Sequence, residues 1–564
     1  MKMTQLQPHP ISRMRLAGTS GMLAFAVVTL SAVITARLAQ AQTFTTLYSF
    51  DSTDGAGPTT AGLIQATDGN LYGATAGGGA NSDGTVFKIN PTGTLTTLHS
   101  FDGPDGTSPW GRLVQATNGD FYGTTTGGGT NGYGTVFKIT PSGTLTTLHS
   151  FSIGTDGAYP YAGLVQATTG DYYGTAEDGG ANGYGTVFKI TPTGTLTTLH
   201  SFDSTDGFDP QSALVGASDG NFYGATRFGG ANTCLIGGTN YGCGTVFKIT
   251  PTGTLTTLHS FNLTDGAQPF GGLIQATDGN LYGTTSAGGV GNDGTVFKIT
   301  LGGTLTTLHS FDGTDGTTPY GVLVQATDGN FYGTAKNGGS ANCGGDCGTI
   351  FQITPDGTLT TQHGFDGTDG EYPFAGLVQD TNGGFYGTTD GGGAHDFGTV
   401  FSLSVGLGPF VKLQSTSGKE GVKMGILGQG FSSSSVVEFG GVAATKIALT
   451  GSTYISATVP AGALTGVVTV TTGATTLTGS KTFSVTPTVT SFSPASGPVG
   501  TPVTITGTGL TQATNVTFKG KPAAFTVNSD TQISTTVPTG ATTGKIVVTT
   551  LGGSATSKTS FTVN

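Results

Sequence analysis

Seven near-copies of one stretch, written most plainly at Gly134-Thr135-Val136-Phe137-Lys138-Ile139-Thr140, leave this chain few folds to choose from. The copies begin at Gly84, Gly134, Gly185, Gly244, Gly294, Gly348 and Gly398, with spacings of 50, 51, 59, 50, 54 and 50 residues. Periods of that size belong to propellers and solenoids. Each unit holds four segments rich in β-branched and aromatic residues, separated by Gly, Asp, Asn and Pro turns, which reads as four short strands. In the second unit, strand a is 111–116, b is 120–125, c is 134–140 and d is 144–151.

Four antiparallel strands in about 50 residues make one propeller blade. Seven a-b-c sets are present, but the chain opens on an isolated d-type strand, Thr43-Phe44-Thr45-Thr46-Leu47-Tyr48-Ser49-Phe50, and the seventh set stops after strand c at Gly398-Thr399-Val400-Phe401. The orphan strand completes the last set only if the units close into a ring. The expected fold is therefore all-β, a seven-bladed β-propeller over 42–404 whose N-terminal strand closes the last blade. Beyond it the composition shifts, and two units of nearly 80 residues, 408–484 and 485–564, have the length of small β-sandwiches.

Residues 1–41 read as a secretory signal peptide: Lys2, Arg13 and Arg15 precede an apolar run from Met22 to Ala36, and Ala39-Gln40-Ala41 is a small-x-small cleavage site. The run contains Thr and Ser and is shorter than the roughly 18–20 apolar residues of a membrane span. Cleavage after Ala41 would move the net charge from −11 to −15. A chain this acidic, with no basic cluster, is excluded as a nucleic-acid binder and suits an anionic membrane poorly. Secretion also fits the cysteines. Cys234 and Cys243 bracket an insertion in the b–c loop of blade four, Cys343 and Cys347 one in blade six, and each pair is expected to form a local disulfide. A joint zinc site would have to reach across blade five.

The last unit reads Ser491-Phe492-Ser493-Pro494-Ala495-Ser496-Gly497-Pro498, then Val503-Thr504-Ile505-Thr506-Gly507-Thr508-Gly509, Val537-Pro538 and Ile546-Val547-Val548. It resembles the IPT/TIG family of immunoglobulin-like domains. The unit before it is a divergent match: Gly428-Gln429-Gly430-Phe431 and Val459-Pro460-Ala461-Gly462 fit, but Ser415-Thr416-Ser417-Gly418 replaces the Ser-Pro opening. The propeller unit, read at Leu323-Val324-Gln325-Ala326-Thr327-Asp328-Gly329-Asn330-Phe331-Tyr332-Gly333-Thr334, resembles the GloVer repeat of choice-of-anchor tandem-repeat extracellular proteins. That resemblance implies a secreted or cell-surface protein and brings no catalytic residues. No transmembrane anchor is expected in the mature chain.

Candidate chemistry is sparse. His99, His149, His200, His259, His309 and His363 recur at one place in strand d, with Tyr48 in the orphan strand, so they cannot share a site and are expected to pack or hydrogen-bond. Asp pairs follow strand d (Asp51/Asp54, Asp102/Asp105, Asp203/Asp206, Asp312/Asp315, Asp366/Asp369). Asp before Gly is turn chemistry, and weak calcium binding is the alternative. No other cofactor or metal is called for. Glycosidase-type catalysis needs two acids in different environments, and Glu177, Glu371, Glu420 and Glu438 fall in no recognisable pair. The strand-and-turn layout around Asp328-Gly329-Asn330-Phe331-Tyr332-Gly333 also resembles propeller lyases that open cyclic antibiotics, for which His395 with Asp390 or Asp396 is the sole candidate.

The repeats differ most on one face. The a–b and c–d turns are nearly constant, whereas the b–c loops vary and carry Arg227, Lys336 and the cysteines. On the same face the d–a loops place Trp110, Tyr161, Phe270, Tyr320 and Phe374 directly after a proline, Thr59 and Gln211 being the non-aromatic exceptions. Rings presented this way suit a glycan or polymer chain, or else wedge between blades as core. The expected function is a non-enzymatic extracellular binding or adhesion protein with a glycan, polysaccharide or surface protein as partner. A purely structural surface role and, further off, a lyase are the alternatives.

Overall fold

A computed structural model describes residues 42–58, 62–167, 169–236, 238–339 and 345–564. The expected signal at 1–41, Thr59 and Cys343 lie outside them. Among the described residues the fold is all-β, and seven four-stranded antiparallel sheets recur in the order a-b-c-d. The seventh takes its outer strand from the start of the chain, in the order Thr43–Ser49, Thr399–Ser404, Phe385–Thr389, Val378–Gln379. This strand also reproduces the bulge of its counterparts: Leu47 is skipped between Thr46 and Tyr48, as Leu148 is between Thr147 and His149.

Strands b and c are fully buried apart from one half-exposed position in c, and the sequence shows why they pack so closely. Gly123 lies opposite Phe137 in the ladder, and a Cβ there would come 2.6 Å from Phe137 Cζ and 2.9 Å from Leu113 Cδ2. Only glycine lets the ring lie across strand b. At the end of strand d a second Phe drives into the next blade: Phe101 meets Phe137 edge-on at 5.3 Å, Phe202 meets Phe247 at 5.3 Å, and Phe50 meets Phe87 at 5.3 Å. Each neighbouring pair of blades shares one such apolar cluster. The cluster of Phe50, Leu63, Phe87, Val378 and Val400 joins the last blade to the first, so the ring is closed.

Strand a is shorter than the sequence suggests, only Val114–Gln115 in the second blade. Around the axis the inner segments crowd one another rather than extend the ladder: a Cβ at Gly163 would lie 2.4 Å from Arg112 O, and one at Gly376 2.2 Å from Val322 O. Arg112 crosses this seam, donating from Nε and Nη2 to Leu63 O at 3.1 and 2.7 Å.

The last two units are two-sheet sandwiches, with strands over Lys412–Val485 and Thr488–Val563. Their strand orders are identical position for position, down to a short parallel pairing, Ser417–Gly418 in the first and Ser496–Gly497 in the second. The first sandwich docks on the a–b turns of blades seven and one. Phe410 N–H donates to Thr381 O at 3.0 Å, Gln429 Nε2 donates to Thr381 Oγ1 at 2.9 Å, and Thr453 lies against Gly69. This contact buries charge: burial holds the Asp380 carboxyl up at about 6 and the Lys412 amine down at about 8. Gln512 of the second sandwich clasps Thr465 of the first, accepting its N–H at 2.7 Å and donating to its carbonyl at 3.3 Å.

Candidate functional site

The d–a and b–c loops meet on the face away from the sandwiches. Short bridges such as Thr107 with Gly127 and Thr317 with Asn337 hold each d–a loop against the b–c loop of the blade that follows it. The residue before each d–a proline is then forced into the left-handed region: Ser108, Tyr159, Asp209, Gln268, Thr318 and Tyr372 have φ between 52° and 59°. Non-glycine residues held there cost on the order of 1–3 kcal/mol each and persist only where their surroundings over-determine them. Hydrogen bonds on both sides do so here. Thr318 N–H donates to Asp293 O at 2.8 Å and its carbonyl accepts from Lys336 N–H at 3.2 Å. The same kinked step precedes each d–a aromatic and delivers it to the rim of the central axis.

The result is a cavity of about 240 Å³. One wall is Trp110 against Tyr161, edge-on at 5.4 Å, and the other is Phe270 against Tyr320 at 4.5 Å, with Tyr320 against Phe374 at 5.3 Å. Gln211, Arg227 and Lys336 complete the lining. All seven binding candidates singled out in the sequence thus surround one space, although they come from five different d–a loops and two b–c loops. The rings are half-buried, touching one another along their edges while remaining open to the cavity.

The break in the aromatic ring at Gln211 is filled by a charged network. Gln211 Nε2 donates to Glu177 Oε1 at 2.7 Å, Glu177 and Asp209 share a hydrogen bond, and Arg227 Nη1 lies 3.6 Å from Asp209 Oδ2. Asp209 is 8% exposed, and burial together with the Glu177 carboxylate pushes it up to about 8. The two acids therefore carry one shared proton at neutral pH. Here the sequence reading needs correcting, because Glu177 does have an acidic partner. The two belong to the loops on either side of strands c and d of blade three, and Asp209 N–H, donating to Tyr184 O at 3.3 Å, ties the second loop to the first. A direct hydrogen bond leaves no room for a sugar between them, whereas glycosidase acids stand about 5–9.5 Å apart. Two buried atoms in the network have no partner, Asp209 Oδ1 and Arg227 Nε.

Lys336 sits on the opposite side. Its ammonium lies 4.5 Å from the Phe374 ring centroid, 5.6 Å from that of Tyr372 and 5.9 Å from that of Tyr320. No carboxylate is within ion-pair distance of it among the described residues; Asp390, raised by burial, is the acid whose charge it feels.

Elsewhere the candidates have structural partners. Each strand-d histidine bonds the following turn, as His99 Nε2 does with Asp105 Oδ2 at 2.6 Å, and Tyr48 does the same with Asp54. The other oxygen of Asp105 accepts Asp102 N–H at 3.0 Å, so the second carboxylate of that pair is fully engaged. His395 is exposed and makes no hydrogen bond or ion pair with Asp390 or Asp396; Asp396 Oδ1 instead accepts from Gly392 N–H at 3.1 Å. Cys234 and Cys243 form a disulfide, and Cys347 is disulfide-bonded as well.

Two family matches cover most of the chain. The Gloeobacter/Verrucomicrobia repeat matches residues 29–236 and 232–430. The chain belongs to this repeat family. The IPT/TIG domain matches residues 487–563, the second sandwich. Among curated proteins none matches. Solved structures related to this repeat protein at low identity include the extracellular domain of a one-component system from B. thetaiotaomicron (10% identity, 88% of this chain and 57% of that one, TM-score 0.42). Others are a gluconolactonase from Xanthomonas campestris (14%, 65% and 90%, 0.36) and a surface glycan-binding protein from Prevotella bryantii (21%, 27% and 41%, 0.21). Likenesses this distant say nothing of what the repeat protein binds.

Proposed function

We propose that this is a secreted, non-enzymatic binding protein that holds a glycan in the aromatic cavity on its d–a/b–c face, with the sandwiches serving as spacer or docking stalk. What carries the reading is the convergence of Trp110, Tyr161, Phe270, Tyr320 and Phe374 from five loops on one space. Aromatic residues offer large, rigid contact area at low entropic cost, and a few polar groups among them set orientation. Supporting it further, six strained residues are maintained beside this cavity. The disulfides fit an oxidising, extracellular compartment. Among the described residues no helix is long and apolar enough to cross a membrane.

The test is a binding screen of the purified protein against glycans and cell-wall polysaccharides, beside a variant carrying Trp110→Ala, Tyr161→Ala and Tyr320→Ala. Binding by the parent and its loss in a variant with an unchanged near-ultraviolet spectrum outside the lost rings supports the cavity as the site. Absence of binding by the parent, or collapse of the variant, moves these rings into the core and favours a purely structural surface role.

A further inference from the structure

Resting on the reading of the cavity as a glycan site, we infer that its occupant is an acidic sugar residue, one bearing a carboxylate or a sulfate ester. The ring of that residue would lie against the aromatic walls, its anion would meet Lys336, and Arg227 would face it from the other side of the cavity. The lining itself holds two cations and no carboxylate, in a chain whose net charge is −11. Glu177 and Asp209 stand behind Gln211 and Arg227, and their shared proton leaves one negative charge for Arg227 to balance. Lys336 has no such partner. The three rings hold the ammonium in place by its attraction to their faces, and with no carboxylate at ion-pair distance among the described residues its charge is free to meet an anion entering the cavity. Asp390 is the acid facing Lys336 from blade seven, and it stays beyond ion-pair distance.

The charged groups also sit where the sugar's own asymmetry would use them. Lys336 leans on Phe374 and Tyr320, at the end of one aromatic wall, while Arg227 fills the gap between the two walls. Arg227 Nε is a buried donor without an acceptor, and Asp209 Oδ1 is a buried oxygen without a partner. Of the two residues only Arg227 lines the cavity, where its guanidinium faces the ligand. A volume of about 240 Å³ accommodates a sugar ring rather than a long stretch of chain, so one acidic residue within a polymer, or at its end, is what the cavity reads.

The experiment is calorimetric titration of the purified protein with oligosaccharides of galacturonate, glucuronate and mannuronate, each beside its carboxyl-reduced neutral counterpart, and with sulfated dextran oligosaccharides. Parent protein is compared with Lys336→Gln and Lys336→Arg. The expected result is that at least one acidic series binds about tenfold or more tighter than its neutral counterpart, a difference typical of a charge-assisted contact. Lys336→Gln should erase that preference and Lys336→Arg should retain it. Which series binds tells carboxylate from sulfate. Equal binding of acidic and neutral forms, or a preference untouched by Lys336→Gln, overturns the inference while leaving the glycan reading standing. Failure of every oligosaccharide, acidic and neutral, to bind counts against both.

Discussion

Replacing Phe50 with alanine tests whether the N-terminal strand closes the ring. Phe50 is 0% exposed and meets Phe87 of the first blade at 5.3 Å and 67°, while its N–H donates to Gly398 O at 3.0 Å in the last. Truncating a fully buried Phe costs about 3–5 kcal/mol in lost transfer and cavity terms. The ring spans roughly 360 residues, and unfolding entropy is about 2.1 cal/mol/K per residue. The melting entropy is then about 0.75 kcal/mol/K, and the expected fall in Tm is about 4–7 °C. Phe202 is the internal control. It is also 0% exposed and meets Phe247 at 5.3 Å and 66°, but the chain is continuous on both sides of its blade. Scanning calorimetry on Phe50→Ala and Phe202→Ala should give shifts that agree within about 2 °C. A Phe50→Ala shift below about 1 °C beside a full-sized Phe202→Ala shift would falsify the closure, because the first strand would then merely lie against the last blade.

Further outcomes follow from the site and its supports. Burial and the Glu177 carboxylate hold Asp209 at about 8 against roughly 4 in an unfolded chain. The native protein therefore keeps a proton that the unfolded chain releases between those values, and this group's contribution to stability declines as pH rises through that window. Glu177→Gln removes the negative neighbour but not the burial, and should make the fall in Tm between pH 5 and 8 shallower; a variant whose Tm drops as steeply as the parent's counts against the pairing. Thr318 is β-branched at φ 56°, so Thr318→Gly should raise stability by about 1 kcal/mol in urea unfolding, where an ordinary strand threonine would lose stability. Reducing the Cys234–Cys243 disulfide, whose cysteines are 9 residues apart, should cost roughly 2.7 kcal/mol by chain entropy, read as an earlier unfolding midpoint in Cys234→Ser with Cys243→Ser.

The repeat made the blades legible because each one needs the same few residues in the same places. Gly123 opposite Phe137 and the wedge at Phe101 return every turn of the ring, and a periodic requirement leaves a periodic trace. The aromatic wall was legible for the same reason, each ring following a proline at one point in the unit. What escaped was created by contacts between units. Glu177 and Asp209 share no local pattern, and only the docking of loops across blade three brings them together. Strand a shrank because inner backbones press on one another at Gly163 and Gly376, which no single unit can reveal. One irregularity could have been read: the seventh a–b turn is Asp380-Thr381-Asn382-Gly383-Gly384 where the sixth has Ala326-Thr327-Asp328-Gly329-Asn330. It departs from the pattern because the first sandwich sits on it, through Phe410 and Gln429.

The placement of Thr399–Ser404 governs how the molecule bears a pull. This strand leads directly into the sandwiches, and it is flanked on both sides by antiparallel partners, Thr43–Ser49 and Phe385–Thr389. Tension drawn through the sandwiches against the rest of the ring runs along that strand, so its two ladders slide against the load together instead of parting rung by rung. An edge strand in the same position would peel. By lending its first strand to its last blade, the chain makes the seam of the ring the place where the sandwiches join it.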